Sequence, residues 1–211
     1  MALIKLNNRG VRNVSTFGSV GGGSLTFIKK LTASSSATLS FEDGSASVVL
    51  DDTYGEYLFT FNNIHPQTDS EEFTFQGNAA GGSGYNETIT STTFAAQHGE
   101  SDSPTELSYD GTADQAQGTG FQTLTLDGGV GNNNDDNFNG ELFLFNPSST
   151  TYAKHFFATT THGYNASPAF VMNSYIAGYF NTTADITAIQ FKFASGNIDA
   201  GTIKLYGIKD S

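Results

Sequence analysis

Apolar residues recur at every second position along most of this chain, the spacing of strands half-buried in a sheet. In ATLSFEDGSASVVLDD, Leu39 and Phe41 share one side, Glu42, Asp43 and Gly44 make a turn, and Val48 and Leu50 resume the pattern. EYLFTFNNIHP sets Tyr57, Phe59 and Phe61 against Leu58 and Thr60, then stops at Asn62, Asn63 and Pro66. Phe73 and Phe75 follow, then a glycine-rich loop, then Ile89 among threonines. In FQTLTLDGG the parity changes between Phe121 and the pair Leu124 and Leu126, which predicts a bulge or a strand start near Thr123. GELFLFNPSSTT is apolar on both faces, as a central strand requires. KHFFATTTHGYN and SYIAGYFNTTADITAIQFKF carry the alternation onward.

The last segment, ITAIQFKFASGNIDAGTIKLYGI, predicts a closing hairpin. Ile189, Phe191 and Phe193 share one face, Ile203 and Leu205 answer from the second strand, and Lys192 and Lys204 face away. The connector offers Gly196, Asn197 and Gly201 for positive φ. A helical period does not emerge; SPTELSYDGTADQAQG is polar throughout and broken by Gly111, so it reads as a loop with at most one helical turn. LFTFN at 58–62 and LFLFN at 142–146 are each followed by a Phe-bearing segment (Phe73, Phe156) and then by GYN. That order suits a sandwich of two related units. The expected fold is all-β: a single antiparallel β-sandwich of jelly-roll type over residues 25–211, behind a short extended N-terminal arm over residues 1–24.

Composition sharpens this reading. With 18 Phe, 9 Tyr and 24 Gly in 211 residues, the interior is expected to be built from rings and the chain to turn often. There is no Cys, which excludes disulfides and thiolate chemistry. Charge is divided unevenly: residues 1–41 hold Lys5, Arg9, Arg12, Lys29 and Lys30 and no acid, while residues 42–211 hold four basic and 21 acidic residues, +5 and −17 giving −12. So acidic a body repels phosphate backbones and anionic lipid, so neither nucleic-acid binding nor membrane insertion is expected of it. The basic, glycine-hinged leader is suited to dock on an acidic neighbour through Lys5, Arg9 and Arg12. Lys5 interrupts the apolar start, which speaks against an N-terminal signal peptide.

Candidate chemistry is sparse. HGESD puts His98, Glu100 and Asp102 at alternating positions, where an extended strand would project them together toward a divalent metal. DDNFNG supplies Asp135, Asn137 and Asn139 as candidate Ca²⁺ ligands ahead of Gly140, but the twelfth position of such a loop is Asn146 where a bidentate Glu belongs. No G-x-S-x-G nucleophile elbow occurs, and GSVGGGS lacks the spacing of a phosphate-binding loop. Neither a catalytic residue nor an organic cofactor is expected. Tyrosines in polar surroundings, Tyr85, Tyr109 and Tyr164 foremost, are candidates to stack on a glycan.

MALIKLNNRGVRNVSTFGSV, FIKKLTASSSATLSF, YLFTFNNIHPQTD and the closing IAGYFNTTADITAIQFKFASGNIDAGTIKLYGI together resemble a group of small virion structural proteins of marine tailed bacteriophages, including cyanophages. The resemblance spans most of the chain, and SGNIDAGTIKLYGI is its most specific part. It implies a non-enzymatic component of the virion surface, such as a capsid decoration, tail fibre or baseplate-associated module. Such a component is made in the host cytoplasm, touches other capsid or tail subunits, and is repeated in symmetric copies, a trimer foremost. It carries no catalytic residues to transfer. Two other readings remain: a carbohydrate-binding receptor module of a tail fibre, and a polysaccharide depolymerase using a carboxylate pair.

Overall fold

The computed structural model describes residues 24–82, 84–126, 128–164 and 169–209, without the side chain of Tyr164. The expected arm over residues 1–24, with Lys5, Arg9 and Arg12, falls outside this range up to its last residue, Ser24.

The described residues contain no helix and thirteen strands: β1 (Leu25–Thr32), β2 (Leu39–Glu42), β3 (Glu56–Pro66), β4 (Phe73–Ala79), β5 (Ile89–Gly99), β6 (Thr105–Tyr109), β7 (Ala116–Gly118), β8 (Gln122–Thr123), β9 (Phe138–Phe145), β10 (Lys154–Tyr164), β11 (Phe170–Phe180), β12 (Ile186–Phe193) and β13 (Ile198–Ile208). They form an antiparallel β-sandwich of two unequal sheets. The larger runs β1-β13-β3-β9-β10-β11-β5-β6, with β7 beside β6 against β5; the smaller runs β2-β12-β4-β8. The chain changes sheet at every step from β1 to β5, and again between β7 and β8, β8 and β9, β11 and β12, and β12 and β13.

Alternation produces the core, because the longer strands of the large sheet turn one parity inward. Phe191 of β12 lies at its centre, with ring centroids 5.4 Å from Phe59, 5.3 Å from Phe61, 6.0 Å from Phe73 and 6.2 Å from Phe41 and from Phe75. Most of these contacts are edge-to-face, the arrangement favoured by ring quadrupoles. Farther along, Phe75 of β4 meets Phe156 of β10 and Phe180 of β11. Beyond the reach of the small sheet, residues 124–126 cover the inner face of the large one. Thr160 Oγ1 donates to the Leu124 carbonyl at 2.7 Å and His162 Nε2 to that of Leu126 at 3.2 Å. Leu126 there packs with Ala95 and Met172 in a small satellite core.

Several sequence-based expectations are corrected here. β12 and β13 do not form a hairpin: β12 pairs with β2 and β4, β13 with β1 and β3. Their apolar faces meet across the core, since the connecting turn is an arch between sheets; Gly196 (φ 71) enables it, and a Cβ there would run into Thr68. Lys192 and Lys204 therefore point away from the core in opposite directions, Lys192 lying 4.6 Å from the Phe121 ring. The internal echo has no structural counterpart, because β4 crosses to the small sheet whereas β10 folds back beside β9. The polar stretch expected as a loop contains β6 and β7, at a sheet edge where both faces of β6 meet water and alternation leaves no trace. Val48 and Leu50 are buried without belonging to a strand, the Leu50 N–H donating to Asp43 Oδ1.

Replacing the hub ring, Phe191→Ala, is expected to cost about 3–5 kcal/mol of folding stability. Urea unfolding should show a lowered midpoint with an unchanged slope.

Candidate functional site

An antiparallel sheet with one buried face presents polar residues to water on the other. The large sheet departs from this. Of the nine large apolar side chains exposed among the described residues, all but Tyr152 project from its outer face: Leu25, Phe27, Phe94, Leu107, Tyr109, Phe157, Val171 and Tyr175. The register lines them up. One row runs Phe27, Tyr206, Leu58, Phe143, Phe157, Ala177, Thr92 from β1 to β5. The adjoining row runs Lys30, Lys204, Thr60, Glu141, Thr159, Tyr175, Phe94, Tyr109 from β1 to β6.

Cross-strand neighbours of one kind stack on each other and form ridges. Phe143 and Phe157 stack at 4.7 Å and 18°, with Phe145 beside them at 6.5 and 5.9 Å. Phe94 and Tyr175 stack at 4.8 Å and 8°, and Tyr109 follows on the next strand. Between the ridges, over Ala177, Thr92 and Thr159, lies an apolar hollow of about 190 Å³. On the far side of the second ridge, a larger apolar hollow of about 490 Å³ is floored by Ala96 and Asn173 and flanked by Val171 and Leu107. Each stacked pair leaves one ring face uncovered by its partner, so ridges and hollows together offer apolar contact with a defined shape.

The candidate glycan tyrosines are separated by the fold. Tyr85 is half-buried beside the small sheet, its hydroxyl 3.3 Å from Glu42 Oε1, in a polar hollow with Asp43, Asn78 and Thr187. Tyr109 ends the second ridge, and its hydroxyl donates to Asp114, which raises its pKa. Tyr164 closes β10, its side chain being outside the described set.

The Ca²⁺ candidates are engaged with one another and with β3. Asn139 Nδ2 donates to Asn137 Oδ1 at 2.6 Å, Asn139 Oδ1 accepts the Asn63 N–H at 2.8 Å, and Asp135 is exposed. Among the described residues no group of three or more His, Cys, Asp or Glu is gathered as a metal would need. His98, Glu100 and Asp102 do not share an extended strand: β5 ends at Gly99, and a turn brings Asp102 Oδ1 within 3.3 Å of His98 Nε2 at the surface.

His162 is an ionisable group strongly altered by its surroundings. Its ring is buried, Nε2–H is held by the Leu126 carbonyl, and Nδ1 has no partner. Burial pushes its pKa down to about 4, against a smaller upward pull from the Leu126 contact. The unfolded chain therefore takes up the proton more readily, and the stabilisation is complete above about pH 6.5 and lost as pH falls through 4. The loss should approach about 3 kcal/mol, read as a falling urea midpoint across that window, and His162→Leu should flatten the slope.

No family model, curated protein or solved structure matches the chain, so the outer face has to be read on its own chemistry.

Proposed function

We propose that this protein is a non-enzymatic structural component of a tailed-phage virion, exposed on the particle as a capsid decoration or tail-associated module, and that it works by surface contact. The observation that carries this is the apolar outer face of the large sheet, whose exposed rings form ridges where a solvated sheet would carry polar residues. The resemblance of the sequence to marine phage virion proteins points the same way. So does the strand order. Leaving out β5–β7 and β10–β11, the sheets run β1-β13-β3-β9 and β2-β12-β4-β8, which we read as a jelly roll, an architecture common in capsid and lectin domains. The two omitted groups widen one sheet and carry most of the rings. The basic leader, with Lys5, Arg9 and Arg12, supplies a second attachment to an acidic neighbour.

A glycan-binding role is the second reading, favoured by one feature: the hollow flanked by Phe157 and Tyr175 is wide enough, at about 190 Å³, to seat a sugar ring between aromatic walls.

The double variant Phe157→Ser, Tyr175→Ser removes two anchors of about 2 kcal/mol each and should lower the copy number on assembled particles by about 100-fold or more. Removing residues 1–20 should likewise abolish incorporation while leaving the sandwich folded. Normal incorporation of the double variant would reject the contact role, and its loss of signal on a glycan array, with incorporation intact, would favour the second reading.

A further inference from the structure

We infer that the outer face of the large sheet is covered by the same face of a second copy of this chain, in a two-fold pair whose axis runs along the strands. This rests on the reading of that face as a contact surface and names its partner.

Charge selects the occupant and the orientation. The face is polarised across its width. At the β1 edge, Lys30 and Lys204 are register partners, and Lys209 follows β13. At the β6 edge, residues 100–114 hold no cation; Glu106 and Asp110 line a hollow on the inner side with Met172, while Asp114 reaches the Tyr109 hydroxyl at the end of the outer face. Two sheets stacked face to face can be related by a two-fold axis along the strands or across them. An axis across the strands lays β1 on β1 and puts Lys30 and Lys204 against their own copies, a like-charge arrangement opposed on desolvation. An axis along the strands lays β1 of one copy on β6 of the other.

In that second arrangement the row Lys30, Lys204, Thr60, Glu141, Thr159, Tyr175, Phe94, Tyr109 folds onto itself in reverse order, which sets Glu141 of each copy opposite Thr159 of the other beside the axis, one like-charge pair against the two lysine pairs of the alternative. The two ammonium groups of one copy then face the Phe94–Tyr109 end of the other, where Asp114 holds the Tyr109 hydroxyl. Cations meet ring faces and carboxylates. The neighbouring row brings Phe143 and Phe157 of each copy together near the axis, where desolvation is complete and aromatic anchors contribute most.

The area is sufficient. Eight strands spaced about 4.8 Å apart make a face roughly 34 Å wide, and a few rows of side chains give it a length of about 20 Å. This is roughly 700 Å² per copy, near the ~800 Å² per partner of a standard specific interface. Lysine at an edge strand also guards against indiscriminate edge pairing. That role needs only one cation, and it does not account for the Asp114 carboxylate at the opposite end or the rings between.

Sedimentation velocity on the purified full chain at micromolar concentration tests the pair. The wild type should run as a dimer, and Phe157→Ser, Tyr175→Ser as a monomer with unchanged circular dichroism, since both rings are already exposed to solvent. Lys30→Ala, Lys204→Ala should weaken the dimer about tenfold. Orientation is read separately in this cysteine-free chain: Thr32→Cys on β1 and Leu107→Cys on β6 lie two residues along from Lys30 and Tyr109. A short bis-maleimide should link the two variants when mixed and should not link Thr32→Cys to itself. A wild-type monomer, a serine variant that still dimerises, or preferential self-linking of Thr32→Cys would each overturn the inference. If the wild type is monomeric yet the serine variant still fails to enter particles, the second copy is excluded while the contact role of the face stands.

Discussion

The constraint behind every other feature is a mismatch of width. A layer eight strands across is set against one of four, so one sheet cannot cover the other. Where they overlap, the rings around Phe191 form an ordinary two-layer interior. Where they do not, the chain needs a substitute for the missing layer, and residues 124–126 supply it, continuing from β4 through the Leu124 N–H to the Phe73 carbonyl and fastened to the large sheet by the side chains of Thr160 and His162. The same widening sets the stacked rings on the opposite surface. Core, satellite core and contact face thus follow from one decision of the chain: to add β5, β6, β10 and β11 to a single sheet.

The fold class was legible because alternation and Phe content are local properties, and both survive without knowledge of partners. Which strands pair was not legible. β12 and β13 look like a hairpin because their apolar parities match, but matching parities are equally required of strands that face each other across a core, and the sequence between them serves a tight turn or an arch alike. The contact face was hidden for a related reason. In LFLF, Leu142 and Leu144 point inward and Phe143 and Phe145 outward. The central placement of β9 follows from such a pattern, whereas the choice of buried parity does not. Phe94 and Phe157 adjoin threonines and alanines, whose small size gives no sign that a neighbouring strand will bring a second ring alongside.

Candidate chemistry fared according to how far each signal depends on distant residues. The Asp and Asn stretch near residue 135 is a local pattern, yet its amides are spent on one another and on Asn63 of β3. The tyrosines chosen for their polar surroundings are scattered by the fold: Tyr85 lies beside the small sheet, whereas Tyr109 lies on the aromatic surface. His162 gave no sequence signal at all, because its burial comes from a segment 36 residues away in the chain.

The arch between β12 and β13 has a consequence for biosynthesis. Among the described residues β1 has only β13 for a neighbour and β2 only β12, so these early strands must wait for much later ones. Until then Phe41, Phe59 and Phe75 lack the Phe191 ring that joins them, and the surplus of negative charge helps keep nascent chains apart. Closure of both sheets is therefore late, because β12 and β13 each sit between strands synthesised long before them.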